Sequence, residues 1–232
     1  MASVTLIYCA DGNRRFADIA ISAGFKYGAQ LPNKIYFPLY FADQNWRKPD
    51  RAAYMSALAK HRPEMATVLD WERDEQLPEV LSWAEEGAQY ANRVLIIPKV
   101  NGGVSKIPRR VGGADVILAY SVPSKYGGTK LPLWDFAGWP VHLLGGSPNA
   151  QIKYYLHLAG ICDVVSADGN YMLKMALSYC SYYSHHRADV PNARRHPWVT
   201  LVEADGERWK SDALYEAFRR SCVNIMTTWK TL

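Results

Sequence analysis

The chain has 232 residues, of which 49% are hydrophobic, 12% aromatic and 21% charged. This composition excludes disorder, collagen-like repeats and coiled coil, and a chain of this length buries roughly 70% of its unfolded surface in one core. A formal charge of +5, from 27 Lys+Arg against 22 Asp+Glu, permits a phosphate-rich partner without demanding one.

The first apolar run, residues 4–9, is too short to span a membrane, and its charges, Arg14 and Arg15, follow it where a signal peptide's precede. No other stretch approaches the roughly 20 apolar residues of a spanning helix. Cysteines 9, 162, 180 and 222 form no C-x-x-C pair. Reduced thiols in a cytoplasmic protein are therefore expected, and a cysteine-built zinc site is not.

Short apolar runs then alternate with helical patterns. Strands are expected at 4–9, 35–39, 66–69, 94–98, 116–120, 141–144 and 163–165, often apolar throughout like parallel strands buried on both faces, with an eighth at 198–202. Helices are expected at 16–22 after Asn13, through residue 61 behind an Asp50 cap, at 78–90, at 151–158 and at 171–183. Repeated strand–helix units with short connections mean an α/β fold. Eight strands fit a compact (β/α)8 TIM-like barrel, one domain over 1–232, with a C-terminal segment from about residue 185 completing or covering it. An open doubly wound sheet ranks second, because the Gly-rich phosphate fingerprint is absent after residues 4–9.

The tetrapeptide Ala-Asp-Gly-Asn occurs at 10–13 and again at 167–170, each time between a strand and a helix. Such a segment turns tightly and caps helices. Both copies also stand at strand carboxyl ends, where barrel enzymes place their chemistry. Carboxylates recur at those ends: Asp11, Asp43, Asp70 and Asp168. Acids on one rim raise one another's pKa, so they are either solvated caps or groups tuned to separate roles. Gly102-Gly103, after Lys99 and Asn101, and Gly145-Gly146 each suit a plain turn or the close approach of a ligand to backbone N–H groups. The loop from Tyr120 through Lys125 and Tyr126 to Gly128 has the length of a lid or binding loop. The histidines (61, 142, 157, 185, 186 and 196) lack the i, i+4 pairing of a zinc helix and read as exposed helix-end residues, only His142 lying inside a strand. Four Arg pairs, Arg14-Arg15, Arg109-Arg110, Arg194-Arg195 and Arg219-Arg220, are either solvated surface or, if they share the acidic rim's face, a phosphate-binding collar.

Taken in order, these strand ends over residues 35–180 resemble the guanine transglycosylase superfamily (tRNA-guanine transglycosylase-like), and most of all its short phage-type members that act on DNA. Residues 161–168 are similar to the late strand that ends in the nucleophilic aspartate. Residues 141–148 are similar to the strand ending in a Gly-rich turn and Pro, and 94–103 to the strand whose Gln-Gly-Gly end contacts the purine, with Asn101 or Lys99 in place of Gln. Leu69-Asp70 matches the aspartate that reads the guanine edge. Phe41-Ala42-Asp43 is nearest to the stretch whose acid assists proton transfer, although Gln44-Asn45 stands where Ser-Gly is usual, and the tRNA enzymes' zinc motif is missing.

The resemblance implies Asp168 as nucleophile and Asp43 as its acid–base partner. It implies a substrate pocket drawn from Asp70, Asp11, Asn13, Lys99, Asn101, Tyr120, Gly145, Gly146 and Asn170, and nucleic-acid contacts from Arg14, Arg15, Arg109, Arg110 and Lys125. The implied reaction is exchange of guanine for a 7-deazaguanine-type base in nucleic acid, DNA before tRNA, in the cytoplasm (the host's, for a phage protein), with no cofactor, metal or membrane. Such exchange displaces a nitrogen leaving group from an anomeric carbon through an oxocarbenium-like state, which a carboxylate stabilises or captures. A target within a duplex must leave the stack and enter an aromatic-lined pocket. Two alternatives stand beside it: a metal-dependent hydrolase using the four aspartates with histidines, and a nucleic-acid-binding barrel without a reaction, which Gln44-Asn45 favours.

Overall fold

The computed structural model describes residues 4–9, 12–124, 127–182, 198–200 and 212–232. Its strands are β1 (Thr5–Cys9), β2 (Lys26–Gln30), β3 (Phe41–Asp43), β4 (Met65–Trp71), β5 (Arg93–Pro98), β6 (Arg110–Val111), β7 (Ala114–Ser121), β8 (Pro140–Leu144) and β9 (Asp163–Gly169). All but β6 run parallel in the order β1-β2-β3-β4-β5-β7-β8-β9, and β9 pairs back onto β1. The result is a closed eight-stranded α/β barrel of TIM-like form; β6 is a short antiparallel addition to β7.

Four helices lie between strands: α1 (Arg14–Ser22), α2 (Arg51–His61), α3 (Leu77–Gly87) and α4 (Pro148–Leu158). Each starts where the sequence supplies a cap or a proline. Asn13 accepts the Arg15 N–H at 2.9 Å, Asp50 the Ala53 N–H at 3.0 Å and Ser147 the Ala150 N–H at 3.3 Å, while Pro78 occupies the first turn of α3. The β2–β3, β5–β7 and β7–β8 connections carry coil, 3-10 turns or β6 where an α-helix would stand in a full barrel. After β9 come α5 (Tyr171–Ala176), β10 (Cys180–Tyr182), β11 (Trp198–Thr200) and α6 (Ala213–Lys230). Helix α6 sets Phe218 edge-on against Tyr8 and Phe16, with centroids 5.2 and 4.9 Å apart. Among the described residues no helix is long and apolar enough to cross a membrane.

Side-chain alternation splits the core in two. Ile7, Cys9, Phe41, Met65, Leu95, Ile97, Ile117 and Ala119 fill the barrel interior. Their neighbours Leu6, Tyr8, Ala42, Ala66, Val94, Ile96, Val116, Leu118 and Tyr120 face the helix layer. Gly28 faces inward without a side chain, and Ile7, Phe41 and Cys9 occupy its space: a Cβ there would lie 2.9–3.2 Å from their atoms.

Three expected elements differ. Residues 35–39 form no strand; Pro38 lacks the N–H a central strand needs, and two strands on either side of it, β2 at Lys26–Gln30 and β3 at Phe41–Asp43, stand in the barrel between β1 and β4 instead. The expected eighth strand near 198 pairs antiparallel with β10, outside the barrel. The expected helix 171–183 stops at Ala176, and the chain reverses at Tyr179 (φ 55°) into β10.

Overpacking the interior at Gly28 is the direct test of this layering. Gly28→Ala is expected to lower the unfolding free energy by about 1–3 kcal/mol, measured by urea titration; an unchanged midpoint would contradict the interior assignment.

Candidate active site

The mouth of the barrel, at the carboxyl ends of its strands, receives one inward side chain from most of them: Cys9, Asp43, Asp70, Lys99, Ser121, Leu144 and Asp168. Asp43 arrives by simple alternation after Phe41. Asp70 and Asp168 do not. In β4 the register with β5 passes from Thr67↔Leu95 to Asp70↔Ile97, so one residue is extra; Val68 and Leu69 both turn to the helix layer and Asp70 turns in. In β9 the register with β8 passes from Val141↔Val164 to His142↔Ser166, with Val165 extra. Strict alternation would have pointed both carboxylates outward. A β-bulge in each strand aims them at the mouth.

Each of two acids is braced from the layer beneath. The Thr67 hydroxyl donates to Asp43 Oδ1 at 3.1 Å and accepts the Gln44 N–H at 2.8 Å. Asp168 Oδ1 accepts the Gly145 N–H at 2.8 Å and faces His142 Nε2 at 3.1 Å, while His142 Nδ1 lies 2.8 Å from Ser166 Oγ. Asp168 Oδ2 has no protein partner among the described residues, and Asp168 lines the cavity. The Gly145 donor depends on its left-handed backbone (φ 66°). Gly146 (φ 86°) must be glycine for space as well, since a Cβ would meet Val122 Cγ1 at 2.6 Å. Gln151 ties this turn to β9 by donating to the carbonyls of Gly145 and Asp168.

Asp70 is paired differently. Lys99 Nζ lies 2.6 Å from Asp70 Oδ2 and 3.0 Å from Glu72 Oε1. Burial opposes the Lys99 charge, yet these two carboxylates outweigh it and hold its pKa above the ordinary lysine value. The cavity over this ring has a volume of about 720 Å³. Its rim carries two aromatic–cation pairs: Arg47 sits 5.0 Å from the half-exposed Trp46 ring, and Lys174 sits 5.8 Å from the Tyr171 ring. Asn45 builds the turn that presents Trp46 by accepting the N–H groups of Arg47 and Lys48 at 3.2 and 3.3 Å. Among the described residues no three His, Cys, Asp or Glu side chains are grouped to hold a metal ion.

A model for a family of unknown function, DUF6610, matches residues 20–230. The chain belongs to the DUF6610 family. No curated protein sequence matches it. The matched span of this DUF6610 chain contains every mouth residue named above except Cys9.

Of the residues expected at the site, Asp168, Asp43, Asp70, Lys99, Gly145, Gly146 and Asn170 line one cavity. Asp11 and Lys125, with Tyr126, Arg194, Arg195, His185, His186 and His196, lie outside the described residues. Others are elsewhere. Tyr120 has the wrong parity to stack on a ligand: it faces the helix layer, against Phe136 and Tyr154. Asn13 caps α1, and Asn101 sits in the exposed turn after β5; neither lines the cavity. Arg109 and Arg110 precede β7 and so occupy the opposite, amino-terminal end of the barrel. Arg109 stacks 3.5 Å from the Trp139 ring centroid, and Arg110 pairs with Asp115. Arg15 pairs with Asp212 and stacks on Tyr215, Arg14 stands over Phe37, and Arg219 and Arg220 both grip Glu216 on α6. Arg14, Arg15, Arg109 and Arg110 therefore fasten separate elements, Arg219 and Arg220 bind a carboxylate of their own helix, and the pairs form no collar among the described residues. His142 is fully buried in the interior, contrary to an exposed helix end, and His61 and His157 do lie in the last turns of α2 and α4. Trp46, Arg47, Tyr171 and Lys174 were not foreseen at the site; aromatic–cation spacing just after strand ends is the signal that marks them.

The Lys99 pairing has a definite pH signature. A lysine whose folded pKa is raised contributes stability that is complete below its unfolded value, about 10.4, and lost as pH rises through the folded value. The stability difference between wild type and Lys99→Met is therefore expected to be flat at neutral pH and to shrink in the alkaline range, as followed by urea unfolding. A difference independent of pH would contradict the pairing.

Proposed function

We propose that this protein exchanges a guanine-type base in a nucleic acid for a 7-deazaguanine-type base, by double displacement through Asp168. The observation that carries the reading is the asymmetry of Asp168: two donors at Oδ1, none among the described residues at Oδ2, and a cavity that Asp168 lines. Oδ2 attacks the anomeric C1′ as the C1′–N9 bond breaks and its electron pair leaves with the purine. The incoming base then attacks C1′, the C1′–Oδ2 bond breaks and the carboxylate is restored. Two inversions retain configuration. Asp43, fixed by Thr67, supplies and removes the purine proton. Asp70 accepts purine N–H groups through Oδ1, the oxygen that Lys99 leaves unoccupied. The cavity volume of about 720 Å³ is of the size of small-ligand sites.

The rim contacts for the polymer are the Trp46–Arg47 and Tyr171–Lys174 pairs, aromatic faces for splayed bases beside cations for phosphates. Following the resemblance to the short phage-type enzymes, DNA is the preferred polymer and a duplex target must be flipped out.

Labelled guanine should enter DNA with wild-type protein in the presence of chelator, and Asp168→Asn should lower the rate more than about 10³-fold. Asp43→Asn should cost about 10²–10⁴-fold. Absence of label from both DNA and tRNA with wild type, or full activity in Asp168→Asn, overturns the reading. Trp46→Ala should raise KM for the polymer about tenfold, with a smaller effect on kcat; an unchanged KM removes Trp46 from the polymer path.

A further inference from the structure

Two buried polar groups interrupt the otherwise apolar barrel interior: Thr67, which braces Asp43, and a chain of two side chains that ends on Asp168. His142 is 0% exposed and Ser166 1%. His142 Nδ1 lies 2.8 Å from Ser166 Oγ and its Nε2 3.1 Å from Asp168 Oδ1, and the ring leans on Phe41 with centroids 5.1 Å apart. A carboxylate oxygen only accepts, so Nε2 carries the hydrogen between them. In the neutral ring Nδ1 then accepts from the Ser166 hydroxyl, which fixes the tautomer. His142 and Ser166, set among Ile7, Phe41, Met65 and Ile117, cost desolvation that aliphatic residues would avoid. Both are held in place by the bulge that turns Asp168 inward, because it is also what sets Ser166 opposite His142.

We propose that His142, backed by Ser166, is a positioning residue whose task is to make Asp168 a good leaving group. The inference rests on the double-displacement reading. When Oδ2 bonds C1′, the carboxylate becomes an ester and Oδ1 loses most of its negative charge. Hydrogen bonds donated to Oδ1 are charge-assisted in the free carboxylate and weaker in the ester. The donor pair, His142 Nε2–H and Gly145 N–H, therefore favours the free enzyme over the covalent intermediate and speeds the second displacement, in which the C1′–Oδ2 electrons return to Asp168. It also holds the carboxylate so that Oδ2 is the attacking oxygen.

The test uses the full-length protein, a guanosine-containing DNA oligonucleotide labelled at one end, and free guanine at fixed concentration with no deazapurine present. The denaturant-stable protein–oligonucleotide adduct is measured at equilibrium, giving the constant for adduct plus guanine against free enzyme plus oligonucleotide. A merely structural role lowers the rate of approach without moving this constant in a set direction. His142→Leu is expected to raise it about tenfold, and His142→Gln, whose amide N–H can stand in for Nε2–H, to remain near wild type. Ser166→Ala, a smaller change if the leucine variant fails to fold, is expected to raise it about two- to threefold. A constant that is unchanged or lowered in Ser166→Ala or folded His142→Leu overturns this inference alone. A wild-type protein that forms no adduct and exchanges no guanine overturns the base-exchange reading and this inference with it.

Discussion

In a closed parallel barrel, side chains alternate between an interior and a layer beneath the helices, so a residue's parity in its strand decides what it can touch. Here an added residue shifts that parity in β4 and again in β9. Without the first shift Leu69 would face the mouth and Asp70 the helices; without the second, Asp168 would face α4 and its neighbours. The bulges place acids where strict alternation would place apolar residues, and the polar bracing follows from the same displacement. Ser166 meets His142 only in the shifted register.

That arrangement explains how three carboxylates share one mouth. Asp70 is neutralised by Lys99, Asp43 is tied to Thr67, and Asp168 is held at one oxygen by a backbone N–H and an imidazole. The acids therefore sit in three different environments, the condition under which neighbouring carboxylates can hold separate roles. The positive charge is distributed for a different purpose. Most arginines of the described pairs fasten elements to one another, Arg15 to the start of α6 and Arg109 to Trp139 at the far end of the barrel. Among the described residues the cations at the mouth are Arg47, Lys99 and Lys174 instead. The excess of +5 therefore says nothing by itself about a phosphate-binding collar.

Much of the architecture was legible because parallel barrel strands are short apolar runs. β1, β4, β5, β7, β8 and β9 stand out as such, and caps at Asn13 and Asp50 mark their helices. β2 did not stand out: its Lys-Tyr-Gly-Ala-Gln sequence is barely apolar, because Gly28 contributes space to Ile7 and Phe41 in place of a side chain. The loop at 35–39, with Ile, Tyr, Phe and Leu around Pro38, was the better-looking strand and is not one. Position at a strand end identified Asp43, Asp70 and Asp168 as neighbours. Parity, which bulges reset, was not visible, and Tyr120 was misplaced for that reason. His142 carried no local signal, since its role comes from residues 24 and 26 positions away in sequence.

The central claim is that Asp168 is the atom-bearing nucleophile of a barrel-mouth exchange reaction. Its most direct test is mass-spectrometric peptide mapping of protein quenched in acid during turnover with guanosine-containing DNA. A sugar-bearing mass shift on the β9 peptide, localised to Asp168, is the predicted result. A shift on Asp43 or Asp70, or exchange that proceeds with no covalently modified peptide, would contradict it.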